Sequence, residues 1–437
     1  MATERKLFGT DGVRGQVGSF LTAELATSLG KAATLASEAE RPQILIVRDT
    51  RESGPMLESA LAAGVAAAGG DALLGGVLPT PAAAILARRH GLDLAAVVSA
   101  SHNPFGDNGI KFFSGSGRKL DDEAEARIEA LVDEPAASGG VGRVRELRGA
   151  LEDYLRELQS KFPLDLGGAR VMLDCANGAT HRAAPAIFER LGAEVEAIGA
   201  EPDGRNINEG CGSTHIENLC ERIVGADAEI GFAFDGDGDR VLAVDGGGRA
   251  HDGDELIALA ASHLGRRGSL DGGVVVTVMT NHGFHQAMKE AGIEVATTKV
   301  GDRHVLAELE RRRWELGGEQ SGHIIATEFA PTGDGIAAAL LTMQALGDSA
   351  LADVETFERL PQRLENVRIA DRGAIDGASE LWEAVERENA ALDGRGRVLV
   401  RPSGTEPLLR VMVEAPTEDE CAEVCKRLVS VVERELA

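Results

Sequence analysis

Aromatic side chains are scarce in this 437-residue sequence, 3% of the total with two Trp and one Tyr. Its core must therefore be filled by Ala, Val, Leu and Ile, which dominate the 43% of residues that are hydrophobic. Long apolar runs are missing as well. Stretches such as LAAGVAAAGG are cut by Gly, Asp or Pro before reaching the roughly 20 residues that span a bilayer. The opening MATERK is charged and has no apolar segment behind it, so neither a signal peptide nor a membrane span is expected. Cysteines are few and odd in number: Cys175, Cys211, Cys220, Cys421 and Cys425 form no C-x-x-C pair. That argues against a disulfide framework and for a reducing, cytoplasmic location. Only eight of the 45 basic residues are Lys, and 71 acidic residues leave a formal charge of −26. So acidic a chain repels nucleic acid and anionic lipid, and neither is expected as a partner. An anionic substrate would need a local basic site.

The length exceeds one ordinary core and implies several domains. Short apolar runs alternate with helical patterns: ILIVRD (44–49), PMLESALAAGVAAAG, DALLGGVL, TPAAAILARRHG and LAAVVSA read β-α-β-α-β. The pattern restarts at ARVMLDCANG and again at GGVVVTVMTNHG. From about residue 362 it changes to strand, helix, two strands and a last helix opened by the capping-box pattern TEDE, Thr417 to Glu420. The expected fold is α/β, with three successive α/β sheet domains plus a smaller C-terminal α+β domain around a central cleft. The expected boundaries are 1–150, 151–248, 249–361 and 362–437.

Each unit carries one polar, Gly-rich loop near a strand end, where α/β folds gather ligands. In FAFDGDGDR, Asp235, Asp237 and Asp239 alternate, so in an extended segment the three carboxylates point one way, while Gly236 and Gly238 let the backbone close around an ion. An EF-hand does not fit, because Arg240 and Gly246 stand where that loop needs Gly and Glu. A solvated acidic turn is the bland alternative; Mg²⁺, with room for water and phosphate oxygen, suits three carboxylates better. In RPSGTEP, Arg401 supplies a forked cation, Ser403 and Thr405 hydroxyls, and Gly404 close backbone approach. This reads as a phosphate cradle or as an ordinary hairpin turn, and Arg410 either joins it or sits on the strand surface. In GGEQSGH, Glu319, Ser321 and His323 alternate on what reads as one side of an extended segment, a set suited to a polyol.

The stretch VVSASHNPFGDNGIKFF, residues 97–113, begins as a buried strand and breaks into polar groups at Ser101. There is no G-x-S-x-G elbow, which argues against acyl transfer. A serine beside a metal site and a phosphate cradle reads as a phosphoryl acceptor.

SASHNP, DGDGDR, GEQSGH and RPSGTEP, in this order and preceded by GTDGVRG (9–15), resemble the four-domain α-D-phosphohexomutase family along the whole chain. NPFGDNGIKFF, CGSTH (211–215), VGDR (300–303) and LGGEQSGH look most like the branch that acts on glucosamine phosphates; mutases of glucose or mannose phosphates, and a non-catalytic phosphosugar-binding protein, are the alternatives. The resemblance implies a phosphoserine at Ser101, with Asp235, Asp237 and Asp239 holding one Mg²⁺ per subunit beside it and Ser101 itself among the ligands. It implies that Glu319, Ser321 and His323 bind sugar hydroxyls or the amino group, and that Arg401, Ser403, Gly404 and Thr405 bind the non-transferring phosphate. Arg14 and Lys111 match positions near the phosphoserine, for charge stabilisation, with Lys111 also a candidate general acid/base. A sugar bisphosphate is implied as activator and intermediate; a homodimer is one possible assembly, the oligomeric state itself not being legible in the sequence. Phe105 and His304 stand where the family often has Tyr.

Overall fold

The computed structural model of the chain describes residues 7–9, 11–135, 140–402 and 408–436. Ser403, Gly404 and Thr405 lie outside the described residues.

Six strands form the first sheet: β1 (Val13–Gln16), β2 (Gln43–Arg48), β3 (Asp71–Val77), β4 (Leu94–Val98), β5 (Asp107–Ser114) and β6 (Val144–Glu146), in the order β1-β5-β4-β2-β3-β6. Strands β4, β2, β3 and β6 run parallel, and β5 returns antiparallel to both β4 and β1. The β4 sequence LAAVV is buried throughout, as a parallel strand covered on both faces should be. With few aromatics available, helices press on this sheet through small side chains. In the helix Thr80–His90 every residue from Thr80 to Ala87 is buried, and Gly91 ends it in the left-handed conformation.

The second sheet contains β7 (Arg170–Asp174), β8 (Glu194–Ile198), β9 (Ile230–Phe234), β10 (Val241–Asp245) and β11 (Ala250–His251), ordered β11-β10-β9-β7-β8. Here β8, β7 and β9 are parallel, and β10 turns back antiparallel. The third holds β12 (Gly273–Thr277), β13 (Glu294–Thr298), β14 (Leu316–Gly318) and β15 (Ile324–Ala326), ordered β13-β12-β14-β15, with β14 parallel to β12 and β15 antiparallel to β14. All three sheets repeat one local device: a parallel strand ends, a polar loop follows its carboxyl end, and an antiparallel strand returns.

The chain divides into two compact units, Met1–Val278 with Ala296–Val354, and Met279–Val295 with Glu355–Ala437. The second unit carries the antiparallel sheet of β16 (Gln362–Arg368), β17 (Arg397–Pro402) and β18 (Leu408–Glu414), ordered β16-β18-β17. Helices Ser379–Leu392 and Glu418–Leu436 cover it through a shared core that includes Leu381, Leu409, Val411, Val413 and Leu428. The Thr417 hydroxyl accepts from Glu420 N and opens the last helix. The helix His282–Glu290 also belongs to this unit: Phe284 meets Phe357 edge to face, and Asn281 caps the helix while binding Leu360 through side-chain bonds in both directions. Glu414, fully buried, accepts from His282 N and Arg397 Nε.

Candidate active site

Ser101 follows β4 by three residues, in the loop that leads into β5. Its backbone is left-handed, φ 51°, and its side chain is buried. The Ser101 hydroxyl donates to Asp235 Oδ2 at 2.5 Å, which ties the loop of the first sheet to that of the second.

Asp235, Asp237 and Asp239 lie in the loop between β9 and β10, and their carboxylate oxygens gather within 4.8 Å of one another. The path differs from the extended one expected. Residues 235–239 make a turn in which Gly238 N bonds Asp235 O and Gly238 takes φ 73°, so the turn, not strand alternation, brings the carboxylates together. Gly236 serves another purpose than wrapping an ion: a Cβ there would sit 2.5 Å from Ser101 O. The loop is braced from elsewhere in the same unit, since Thr80 N bonds Asp237 O and Thr80 Oγ1 donates to Asp237 Oδ2 at 2.6 Å.

Three carboxylates this close repel each other. Burial, then the charges of Asp239 and Asp237, push the Asp235 carboxyl well above the usual range. Burial opposes ionisation of Asp239 too, but His323, Lys111 and Arg240 outweigh it and hold that carboxyl well below. Asp237 Oδ1 and Asp239 Oδ1 are buried without a hydrogen-bond partner among the described residues. Oxygen donors in that state fit a hard divalent cation.

Cations ring the carboxylates. Lys111, on β5, places Nζ 2.7 Å from Asp237 Oδ2 and 3.8 Å from Asp239 Oδ2. Arg14, on β1, pairs with Asp11, yet its Nε is buried with no hydrogen-bond partner among the described residues; Arg240 Nε likewise makes no hydrogen bond and stands 3.9 Å from Asp239 Oδ1. His323 Nε2 accepts from Gly333 N, which places the ring proton on Nδ1, 3.7 Å from Asp239 Oδ2. Buried carboxylate oxygens and guanidinium nitrogens with unused hydrogen-bonding capacity thus lie close together.

GEQSGH does not run extended as expected; it is the tight turn between β14 and β15, closed by Glu319 N to His323 O and Gly322 N to Glu319 O. Its side chains diverge accordingly. His323 is buried against Asp239, Glu319 Oε1 accepts from Gly301 N at 2.9 Å, and Ser321 is exposed. In the second unit Arg401 stands directly across from Arg410 in the β17–β18 register. Burial, with the neighbouring Arg410 charge, pulls the Arg401 guanidinium below its ordinary value, and Arg410 Nε has no partner among the described residues.

Sequence reasoning missed Lys119, Asp11, Asp302 and Arg240. Lys119 bonds Asp302 Oδ2 at 2.9 Å and pairs with Asp11, joining the turn before β1, the loop after β5 and VGDR. Asp11, Arg240 and Asp302 sat inside quoted motifs; Lys119, in GSGRKL, carried no pattern.

A buried serine against a carboxylate cluster, beside cations with unused hydrogen-bond donors, is an arrangement suited to phosphoryl transfer, set on an α/β scaffold of several sheets. Family models described as phosphoglucomutase/phosphomannomutase match the chain in four consecutive pieces: alpha/beta/alpha domain I at 5–138, II at 152–248, III at 252–364 and the C-terminal domain at 364–431. The chain belongs to this family, the phosphohexomutases. It is 51% identical over 438 residues to a phosphoglucosamine mutase of Desulforudis audaxviator, covering 98% of this chain and 97% of that one. It is likewise 51% identical over 443 residues to a phosphoglucosamine mutase of Rubrobacter xylanophilus, covering 99% and 98%. A crystal structure of a phosphoglucomutase/phosphomannomutase family protein from Burkholderia thailandensis superimposes with TM-score 0.84 at 25% identity, over 98% of this chain and 97% of that one.

Proposed function

We propose that this chain is an isomerase that interconverts glucosamine 6-phosphate and glucosamine 1-phosphate through a phosphoserine at Ser101 and a sugar bisphosphate, on the route to UDP-N-acetylglucosamine. The observation that carries the reading is the meeting of the buried Ser101 hydroxyl with the three clustered carboxylates, beside the Lys111 and Arg240 cations that pair with them. Relatives at about half identity over almost the full chain, named phosphoglucosamine mutase, supply the sugar.

Asp235, Asp237 and Asp239 would hold one Mg²⁺, with a Ser101 phosphate oxygen as a further ligand; when bound it supplies charge neutralisation at the transferring phosphoryl group. Arg14, Lys111 and Arg240 stabilise the remaining negative charge. In the first half-reaction the P–O bond to Ser101 Oγ breaks as one forms to a sugar hydroxyl, whose proton is taken up while Ser101 Oγ gains one. Lys111 is the candidate for these proton movements. The reverse transfer, from the other end of the bisphosphate, restores phosphoserine. Positioning provides most of the acceleration, since little covalent chemistry is asked of the protein.

Glu319 serves sugar recognition, with Ser321 beside it and His323 acting through Asp239. Arg401 and Arg410 bind the non-transferring phosphate together with Ser403, Gly404 and Thr405. Two arginines directly opposed on neighbouring strands repel unless an anion sits between them. We assign four domains with boundaries 1–150, 151–248, 249–361 and 362–437, a cytoplasmic location and a homodimer. No described helix is long and apolar enough to cross a membrane.

A coupled assay with glucosamine 6-phosphate tests the reading, alongside mass spectrometry of the Ser101 peptide. Turnover that vanishes in Ser101→Ala, with one phosphate on Ser101 in active enzyme, is the expected result. Preference for glucose or mannose phosphate would move the protein to another branch of the family.

A further inference from the structure

Arg51 is fully buried, an unusual place for a guanidinium, and every one of its five N–H donors has an acceptor. Nε donates to Asp49 Oδ2 at 2.8 Å. The other four go to main-chain carbonyls of a single loop. Nη2 donates to Ser101 O at 2.9 Å and Asn103 O at 2.8 Å, and Nη1 to Asp107 O at 3.0 Å and to Pro104 O. Asp49 completes the arrangement: Oδ1 accepts from Arg51 N at 3.0 Å, and Oδ2 also accepts from the Ser99 hydroxyl at 2.6 Å. That hydroxyl in turn accepts from Ser101 N at 3.0 Å. Both main-chain groups of Ser101 are therefore fixed by one buried ion pair, directly or through Ser99.

Ser101 needs such a frame. A left-handed backbone at a non-glycine residue is unfavourable and persists only where its surroundings over-determine it. Asn208 contributes from the second sheet's connection, donating to Ser101 O at 2.9 Å. Arg51, however, is the one group bonded to four residues of the loop.

We propose that Arg51, anchored by Asp49, is a positioning residue that holds the Ser101 loop in the geometry required for phosphoryl transfer without touching the substrate. The proposal rests on the mutase reading above and deepens it. Its chemistry explains why arginine and not lysine is used: an ammonium has three donors on a point, and cannot reach four carbonyls spread along a turn while keeping Asp49. A misplacement of about 1 Å at the reacting atom can cost on the order of a hundredfold in rate.

Arg51→Lys is the test, in the full chain, with three readouts. The expected result is a kcat lowered by about a hundredfold with KM little changed, a parallel slowing of Ser101 phosphorylation by glucose 1,6-bisphosphate, and faster hydrogen exchange across residues 101–107. In unphosphorylated protein magnesium affinity should move much less than kcat, because the three carboxylates proposed to hold the ion sit on another loop. Should this variant fail to fold, Asp49→Asn keeps an acceptor for Arg51 while weakening the anchor, and must show the same pattern in smaller measure. Unchanged exchange and unchanged kcat in the folded variant overturn the proposal, as does a lost thermal midpoint with kcat per folded molecule intact. A wild type that turns over no hexose phosphate would defeat the functional reading instead, and the exchange measurement would still decide the positioning claim.

Discussion

Ser101 Oγ and Asp235 Oδ2 stand 2.5 Å apart although their loops hang from different sheets. The Ser101 hydroxyl and the carboxylate cluster therefore come into register only when the first two sheets are assembled, and Gly236, whose missing Cβ admits Ser101 O, is a point of contact. Chemistry at this site depends on that assembly more than on either loop alone.

The bracing of Asp237 gives a first expectation. Thr80 and Lys111 together hold Asp237 Oδ2, leaving Oδ1 for a ligand. Thr80→Val removes one of these supports at nearly constant volume. Magnesium affinity, read by calorimetry, should fall about tenfold or more, in the range typical of groups that orient a metal ligand. Chelation of the wild type should abolish turnover and leave the thermal transition nearly in place, because protein contacts already brace the loop. Unfolding on chelation would make the ion structural.

Much of this was legible in the sequence, and the limits have physical causes. Apolar runs such as IGFAF and LAAVV located the buried strands, since parallel strands covered on both faces need continuous apolar side chains. The antiparallel returns after each functional loop were not legible, and with them went the geometry of GEQSGH: three residues at alternate positions share a face in a strand but diverge in a turn. Lys119 and Arg51 were invisible for another reason. Asp11 and Asp302 for Lys119, and the four loop carbonyls for Arg51, are distant in sequence, and a buried cation leaves no local periodicity to read.

The second unit offers a stability test at Glu414. Its carboxylate is fully buried and accepts from Arg397 Nε at 2.7 Å, His282 N at 3.0 Å and Asn281 Nδ2 at 3.3 Å. Glu414→Ala strands the Arg397 guanidinium, which still donates to Thr280 O, and takes the acceptor from His282 N in the first turn of the helix His282–Glu290, which Asn281 still caps. Breaking a buried pair from one side costs about 3–5 kcal/mol. Denaturant titration should find a loss of that order, and a change within about 0.5 kcal/mol, the size of an ordinary surface effect, would refute the role assigned to Glu414.

Asp334 sets a pH dependence in the first unit. It caps the helix Gly335–Leu346 and accepts from the Tyr154 hydroxyl, and burial pushes its carboxyl up to about 7 against the bonds from Ala337 N and Tyr154. A raised carboxyl means that the folded chain keeps a proton the unfolded chain has lost. The contribution to stability is therefore complete below the unfolded value near 3.8 and is lost as pH rises through about 7. Asp334→Asn keeps a capping oxygen and cannot ionise. Its unfolding free energy should gain on that of the wild type between pH 4 and pH 7, by an amount on the order of a few kcal/mol at most. Parallel curves for the two proteins would show that Asp334 does not titrate in that window.

Glu319, for which a sugar-recognition role is proposed, gives a last expectation. Its Oε1 accepts from Gly301 N at 2.9 Å, which fixes the side chain and leaves the second oxygen for substrate. A protonated 2-amino group is a cation with three donors, whereas the 2-hydroxyl of glucose is a neutral donor. Hydrogen bonds to charged groups contribute about 1.5–3 kcal/mol against about 1 for neutral ones, so the carboxylate should favour glucosamine phosphate by about tenfold. Glu319→Gln isolates the charge, because its amide oxygen can still accept from Gly301 N while the substrate side loses its negative charge. The expected outcome is a preference in kcat/KM for glucosamine over glucose phosphates that shrinks by about that factor in the variant. Equal losses for both sugars would assign Glu319 to general hydroxyl binding and place amino-group recognition elsewhere in the protein.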